Sequence, residues 1–578
     1  MARTVTPDLA TALRLPNLWD LAAVLMVFGL LIAVAHVTPE TLKPLDAPQA
    51  TEVSLDPSHL PNYALRTTMR MFAALFASLA FTFTFAPLAA KSRRAGLVMV
   101  PLLDILQSVP ILGFLSFTTA FFMSLFPGRV AGLELAAIFA IFTSQAWNMA
   151  FSMYQSLTTI PADLDEATRS FRLSGWRRFW RLEVPFAMPG LVWNMMLSMS
   201  GGWFFVVASE AISIGDSTWK LPGIGSYVAV ALDRRDIRAV FYAIGAMLVV
   251  ILLYDQLLFR PLVAWSAKFR FELVAGATGE DPWMLKLLRR TRALRAVGGM
   301  VGQGLGALAR LMPRLPRLAA RQTRTRRAGG ARAGDAVFLG VVGVVVAAAL
   351  WKIAAFIASG DVGWSDLGET LALGCATLLR VVVLIALASL LWVPIGVWLG
   401  LRPHWAQRAQ PVVQFLAAFP ANLFFPIFVV AIVYFHVNRD VWLTPLMILG
   451  TQWYILFNVI AGASAFPGDL REAADNFHVG GLLWWRRVIL PGIFPYFVTG
   501  AITASGGSWN AAIVSEVAAW GDTHLSAHGL GAYIAHATER GDFPRIVLGV
   551  AVMSLFVLAF NRAVWRPLYT YATRRLTL

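Results

Sequence analysis

A single cysteine, Cys375, stands in the whole chain, which excludes an intramolecular disulfide and any cysteine-cluster metal site. Histidine is sparse as well: eight residues, scattered, with no HExxH pair, so no metal site is expected. None of the six lysines (Lys43, Lys91, Lys220, Lys268, Lys286 and Lys352) follows a glycine. A P-loop needs Gly-Lys so that the amine reaches the nucleotide phosphates. The chain therefore lacks a Walker A sequence, and neither catalytic residues nor bound ATP and Mg are expected in it. Charge is scarce: 14% of 578 residues are Asp, Glu, Lys or Arg, against 58% hydrophobic and a mean hydropathy of +0.65. Such a composition belongs to an integral membrane protein.

The formal charge of +16 is unevenly spread. Thirteen basic residues and no acidic one lie between Lys286 and Arg332, leaving about +3 elsewhere. A positive segment beside apolar stretches suits a cytoplasmic loop at anionic lipid and argues against nucleic acid as a partner. Membrane lipid is expected to meet residues 283–332, where Trp283 to Val297 reads either as a basic amphipathic helix on the inner leaflet or as a disordered tether.

Apolar stretches long enough to span a bilayer begin at Leu21–Val37 and continue at 66–90, 95–126, 133–155, 188–212 and 239–265. Ala33-Val34-Ala35 would serve as a signal-peptide cleavage site. A comparable stretch at 336–358 favours a retained span in both places. Five more follow near 371–400, 411–435, 441–465, 493–515 and 545–567. The acidic, proline-rich 38–63 faces out and Lys91, Arg93 and Arg94 face in by the positive-inside rule, with the N-terminus cytoplasmic. The expected fold is all-α, with about twelve transmembrane helices in two parallel six-helix repeats. Residues 1–268 form the first unit, 269–334 a basic cytoplasmic linker, and 335–578 the second unit.

The repeat is visible residue by residue. IPADLDEATRSFRLSGWRRFWRLEVP (160–185) returns 306 residues later as FPGDLREAADNFHVGGLLWWRRVILP (466–491). Asp163 and Asp469 are expected to cap these polar helices, with Glu166 and Glu472 reaching back to the cap's amide. The basic, aromatic stretches that follow suit a headgroup boundary, so each helix is expected to lie at the membrane surface. At the same offset Trp203 meets Trp509, Glu210 meets Glu516, and Tyr227 meets Tyr533. Upstream the offset is 310, aligning Arg70 with Arg380.

The repeated segment resembles the EAA loop of ABC importer permeases. The second copy carries Glu472, Ala473, Ala474 and the closing Ile489, Leu490 and Pro491; the first carries Glu166, Ala167 and Pro185. Where the family has a glycine, six residues after the Glu, this chain has Arg172 and His478. Gly175 and Gly481 stand three residues later and would move the bend with them. Trp and Ser-Glu ahead of a Gly-x-Gly-x-Tyr loop, with Arg380 and Pro394-x-Gly396, resemble the nitrate, sulfonate and taurine importers over roughly 66–265 and 370–570. The resemblance implies the type I importer permease fold and a coupling role for the two loops against two separate ATPase subunits. Those subunits would hold ATP and Mg. It also implies a periplasmic or lipid-anchored binding protein outside, an inner-membrane location, and a small anion or organic solute as cargo.

Polar residues inside spans are costly and become candidates for the substrate route. These are Asp104, Gln107, Gln145, Asn148 and Asn194 in the first unit and Gln414, Gln452, Asn458, Ser508 and Asn510 in the second, with interhelical hydrogen bonding as the competing role. Arg70 and Arg380 are expected near the outer ends of their spans, free to snorkel or attract an anion. Trp203, Glu210, Tyr227, Trp509, Glu516 and Tyr533 are candidates for an outer loop or gate, with anchoring of the loop as the alternative for the two glutamates. An ion-gradient transporter also uses twelve spans in two halves; its mark would be several charges deep in spans, and Asp104 alone stood out.

Overall fold

Proline placement decides how the apolar stretches are divided. The structure, a computed structural model, describes residues 53–269 and 328–575 with Pro44, apart from positions 110, 215, 216, 361, 420, 465, 467, 521 and 522. The expected span at 21–37 and most of the basic linker lie outside the described residues. The expected stretch 95–126 is two helices, Arg93–Ser108 and Ile111–Leu125, separated at Val109-Pro110. Its counterpart breaks at Phe419-Pro420, with helix Pro403–Ala418 before it and helix Phe425–Tyr434 after it. Val109 and Phe419 take extended ψ values of 123° and 122°. A residue before proline is pushed out of the helical region, and proline has no N–H to continue the ladder. The stretch 441–465 is a bent pair, Arg439–Leu449 and Trp453–Ser464, at 45°.

Among the described residues, eight helices are long and apolar enough to cross a membrane, or nine if the bent pair counts as one span. Two of the expected spans, 95–126 and 411–435, are interrupted among the described residues. Proline breaks convert one element in each half into a pair of shorter helices. Two small antiparallel hairpins, Ala211–Ile214 with Ser217–Lys220 and Val517–Trp520 with Thr523–Ser526, add strand to the expected all-helical fold.

Each half is built on three packed helices: Leu60–Lys91, Val130–Thr158 and Val184–Glu210 in the first, Trp364–Gly400, Trp453–Ser464 and Leu490–Ser515 in the second. Small residues let the backbones approach, as expected for helices that gain no hydrophobic drive from each other in lipid. A Cβ on Gly500 would lie 2.7 Å from the Tyr454 carbonyl oxygen, and one on Gly400 2.6 Å from the Ala463 Cβ. The helices also share π-helical turns at Phe179–Glu183 and Trp485–Ile489, and again at Asp255–Phe259 and Asn561–Trp565. These turns recur at the 306-residue offset, so the internal repeat extends to local backbone irregularities.

The halves are interleaved. Helices Arg93–Ser108 and Ile111–Leu125 of the first half pack on Phe543–Phe560 of the second, and Ile111–Leu125 also meets Leu490–Ser515. In return, Pro403–Ala418 packs on Val184–Glu210 and Ile237–Tyr254. Asn510 Oδ1 accepts from the Ile111 amide at 2.6 Å, and Gln155 Nε2 donates to the Tyr569 hydroxyl at 2.7 Å, tying the halves at two levels.

Gly500→Ala should destabilise by about 1–3 kcal/mol, because a backbone carbonyl cannot give way to the new methyl. Gly506→Ala, with open space around it, should stay within about 0.5 kcal/mol. Thermal unfolding of the two variants in detergent reads the difference.

Candidate functional site

The two polar repeat segments form matched helical elbows. Ala162–Ser170 and Gly468–Asn476 are nine-residue helices, followed by Gly175–Arg178 and Gly481–Trp484, which run through the π turns into the long helices Val184–Glu210 and Leu490–Ser515. The N-cap of the first is Pro161, with no side-chain cap; Asp163 is already inside the first turn. Asp469 is likewise the second helical residue. The expected capping box is thus replaced by acidic first turns, in which Asp163 and Asp165 of the first copy oppose the positive end of the helix dipole. Asp163, Glu166, Ala167 and Glu472 are exposed, Ala473 is half-buried and Ala474 buried. Pro185 and Pro491 are half-buried where the long helices begin.

The bend sits where the family glycine would be. Arg172 and His478 have φ of 50° and 53°, in the left-handed region. Leu173 and Val479 donate back to the Thr168 and Ala474 carbonyls, while Arg172 and His478 donate to Arg169 and Asp475. These bonds form Schellman closures with a side chain where glycine is cheaper. Gly175 and Gly481 do not carry the bend; they open the second short helix, Gly481 with φ +59°.

The elbows differ in how they are held. In the first, Glu183 is buried between Lys91 (2.7 Å) and Arg178 (3.1 Å), and Arg178 also reaches Asp165 at 2.6 Å. In the second, those positions are Ile489, Leu401, Trp484 and Arg471.

At the far end of the long helices the Gly-x-Gly-x-Tyr loops close on buried carboxylates. A 27-residue helix such as Val184–Glu210 rises about 40 Å, so loop and elbow lie at opposite ends of one rod. Glu210 accepts from Arg70 Nη1 at 2.7 Å, Thr67 Oγ1 at 2.7 Å and the Gly225 amide at 2.7 Å. Glu516 accepts from Arg380 (2.8 Å), Thr377 (2.9 Å) and the Ala532 amide (3.1 Å). The glycines are there for space: a Cβ on Gly223 or Gly529 would collide with the Glu210 or Glu516 carboxylate. Arg70 is therefore not a snorkelling or anion-attracting side chain. It is buried and also chelated by Glu134 through two bonds of 2.6 Å. Arg380 makes the corresponding but longer contact of 3.3 Å with Asp440, which also accepts from the His528 amide. Sequence reasoning missed Glu134 and Asp440, although they align at the 306 offset.

The remaining gate candidates are packing residues. Trp203 and Trp509 are fully buried, and Trp203 Nε1 donates to the Tyr254 hydroxyl at 3.2 Å. The Tyr227 hydroxyl donates to the Leu55 carbonyl at 2.9 Å, while the buried Tyr533 hydroxyl has no hydrogen-bond partner among the described residues.

The route candidates divide in three. Asn194 and Asn458 donate to carbonyls one turn back in their own helices, Gly190 and Tyr454. Gln452 accepts from Trp392 Nε1 within the second half. Across the seam, Gln414 Nε2 donates to Ser200 Oγ at 3.2 Å and Asn510 holds Ile111, with buried Gln145 beside Met199. Gln107 and Asn148 are half-buried, and Asp104 lies on helix Arg93–Ser108 with its side chain outside the described residues. Between the halves is a small cavity of about 40 Å³, lined by Gly201, Phe204 and Phe205 from one side and Thr451, Tyr454 and Gly507 from the other. It holds no more than a water or two.

The profile of the family described as "Binding-protein-dependent transport system inner membrane component" matches residues 78–260 and again 392–575. The chain belongs to this family. Both matches enclose one elbow and one buried-carboxylate loop, so the family signature is present twice in a multi-pass helical membrane protein. Among curated proteins, the chain is 28% identical over 189 residues to the bicarbonate transport system permease protein CmpB of Synechococcus elongatus, covering 33% of this chain and 65% of that protein. It is 26% identical over 189 residues to the nitrate import permease protein NrtB of Leptolyngbya laminosa, covering 33% and 64%. Similarity to the glycine betaine/carnitine transport permease protein GbuB of Listeria monocytogenes is 28% over 173 residues, covering 29% and 54%. These matches span just under two thirds of their relatives' length or less.

Glu516→Ala would leave the Arg380 guanidinium without its closer carboxylate inside the protein, and should cost about 3–5 kcal/mol. Size-exclusion chromatography in detergent, with recovery of folded protein, checks it. His478→Gly should relieve left-handed strain on the order of 1 kcal/mol and slow amide exchange at Val479 about fivefold.

Proposed function

We propose that this chain is the membrane-spanning subunit of an ATP-driven importer, two permease units fused in one polypeptide, which takes a small anion or organic solute through the seam between its halves. One observation carries the reading. Each half carries an exposed helix with acidic residues, joined by a tight bend to a second short helix that runs through a π turn into a long helix reaching the opposite end of that half. Family membership supports it, and so do relatives named for bicarbonate, nitrate and betaine transport. Two ABC ATPases, which would bind ATP and Mg, engage Glu166 and Glu472 on the cytoplasmic side, and a substrate-binding protein delivers cargo outside. The N-terminus and linker 269–334 then lie in the cytoplasm, with residues 1–268 and 335–578 as the two units.

Because the second short helix, the π turn and the long helix are continuous from Gly175 and from Gly481, a push passed through the bend tilts the long helix and shifts its contacts at the seam. The contacts that would change include Gln414 with Ser200, Asn510 with Ile111, and the Tyr454 hydroxyl against Gly201. The cavity at that level is too small for cargo, as befits a route closed between an outward and an inward opening. Of the carboxylates a gradient-driven carrier would use, Glu134, Glu210 and Glu516 are committed to arginines.

Glu166→Lys and Glu472→Lys test the reading in the full chain co-expressed with candidate ABC ATPases. Charge reversal should lower ATPase retention or transport at least about tenfold. Unchanged retention and transport in the double variant would overturn the coupling role.

A further inference from the structure

The internal repeat offers its own control for what is missing from the second elbow. In the first, four ionic side chains fasten the interfacial helix to the end of a membrane helix: Lys91, Asp165, Arg178 and Glu183. The Lys91 ammonium also lies 5.1 Å over the Phe179 ring. In the second elbow the matching positions carry Leu401, Arg471, Trp484 and Ile489, and the staple is absent. In its place is an open cavity of about 330 Å³, lined by Trp398, Leu401, Arg402, Arg471, Asp475, Trp484 and neighbours.

The lining defines an occupant. Helix Trp364–Gly400 contains the most hydropathic spanning window of the described residues, and the cavity opens at its end. It therefore lies where acyl chains give way to headgroups. Among the described residues neither Arg402 nor Arg471 forms an ion pair, and Arg402 stacks over the exposed Trp398 ring at 4.8 Å. Two guanidiniums call for an anion with several acceptor oxygens. Exposed Asp475 calls for a donor on the same molecule, and the Trp398 and Leu401 faces for an apolar tail. A phosphate, a hydroxyl and acyl chains together are the anatomy of a glycerol-headed anionic phospholipid.

We propose that the cavity at the second elbow binds phosphatidylglycerol, with the phosphate on Arg402 and Arg471 and the headgroup hydroxyls on Asp475. The bound lipid supplies to the second elbow the fastening that the first elbow builds from its own side chains. An extension rests on the coupling reading above: lipid occupancy then sets how stiffly the second elbow transmits force, while the first is always stapled.

Peptide-resolved hydrogen exchange on the full chain in detergent, titrated with phosphatidylglycerol or phosphatidylcholine, tests binding without any ATPase, so this proposal and the coupling role fail separately. Phosphatidylglycerol should slow exchange across 468–490 and leave 162–183 unchanged. Each arginine near an anionic headgroup is worth a factor of about five, so Arg402→Gln with Arg471→Gln should raise the half-protecting lipid concentration roughly 30-fold. Both side chains are exposed, and unchanged exchange at 162–183 verifies the fold of the variant. Equal protection by phosphatidylcholine, or protection that survives in the double variant, overturns the proposal. Inorganic phosphate giving the same protection in phosphatidylcholine overturns the lipid as its source.

Discussion

Two buried carboxylates, Glu210 and Glu516, organise the end of each half opposite its elbow. Each takes an arginine, a threonine hydroxyl and a loop amide, so that a charge which would be prohibitive in a low-dielectric interior is compensated on several sides. That arrangement dictates sequence well beyond the glutamates. Gly223 and Gly529 must lack a side chain for the loop to reach the carboxylate, and the arginines must come from a helix more than a hundred positions earlier. The long helices are pinned at this end by charge pairs, and at the other the first is held by Lys91, Arg178 and Asp165 around Glu183.

The two copies have kept the frame and diverged in its fittings. Glu134 clasps Arg70 with two short bonds, whereas Asp440 makes one longer contact with Arg380 and shares its carboxylate with His528. Position 222, which aligns with His528, is a proline whose carbonyl accepts from Arg70. The first half is thus closed by side chains at both ends of its rod, and the second is looser at both. A fused chain permits this, because each half is encoded separately and can diverge on its own.

Much of this plan was legible in the primary structure. Composition announced a membrane protein, the 306-residue offset aligned the two halves, and the acidic helix followed by Trp and Arg marked each elbow. What escaped was long-range or depended on backbone choices. The apolar run 95–126 looks like one span because hydropathy does not register that Pro110 ends a helix. Arg70 looks like a surface cation because its partners lie 64 and 140 positions away. The mistaken cap at Asp163 followed from an Asp-x-x-Glu pattern that reads as a capping box, whereas the helix already begins at Ala162, behind Pro161. Arg172 and His478 were noticed as departures from glycine. That the chain keeps the left-handed turn there, and accepts the strain, needed coordinates.

The interleaving of the halves has a consequence for how the protein is made. Ile111 emerges from the ribosome about 400 residues before Asn510, the side chain that accepts its amide hydrogen. At ordinary elongation rates that is a wait of roughly 20–80 s. For that interval helix Ile111–Leu125 has Val130–Thr158 beside it but lacks its second-half neighbours, so the N-terminal unit cannot complete its packing alone and must wait for the helices Leu490–Ser515 and Phe543–Phe560.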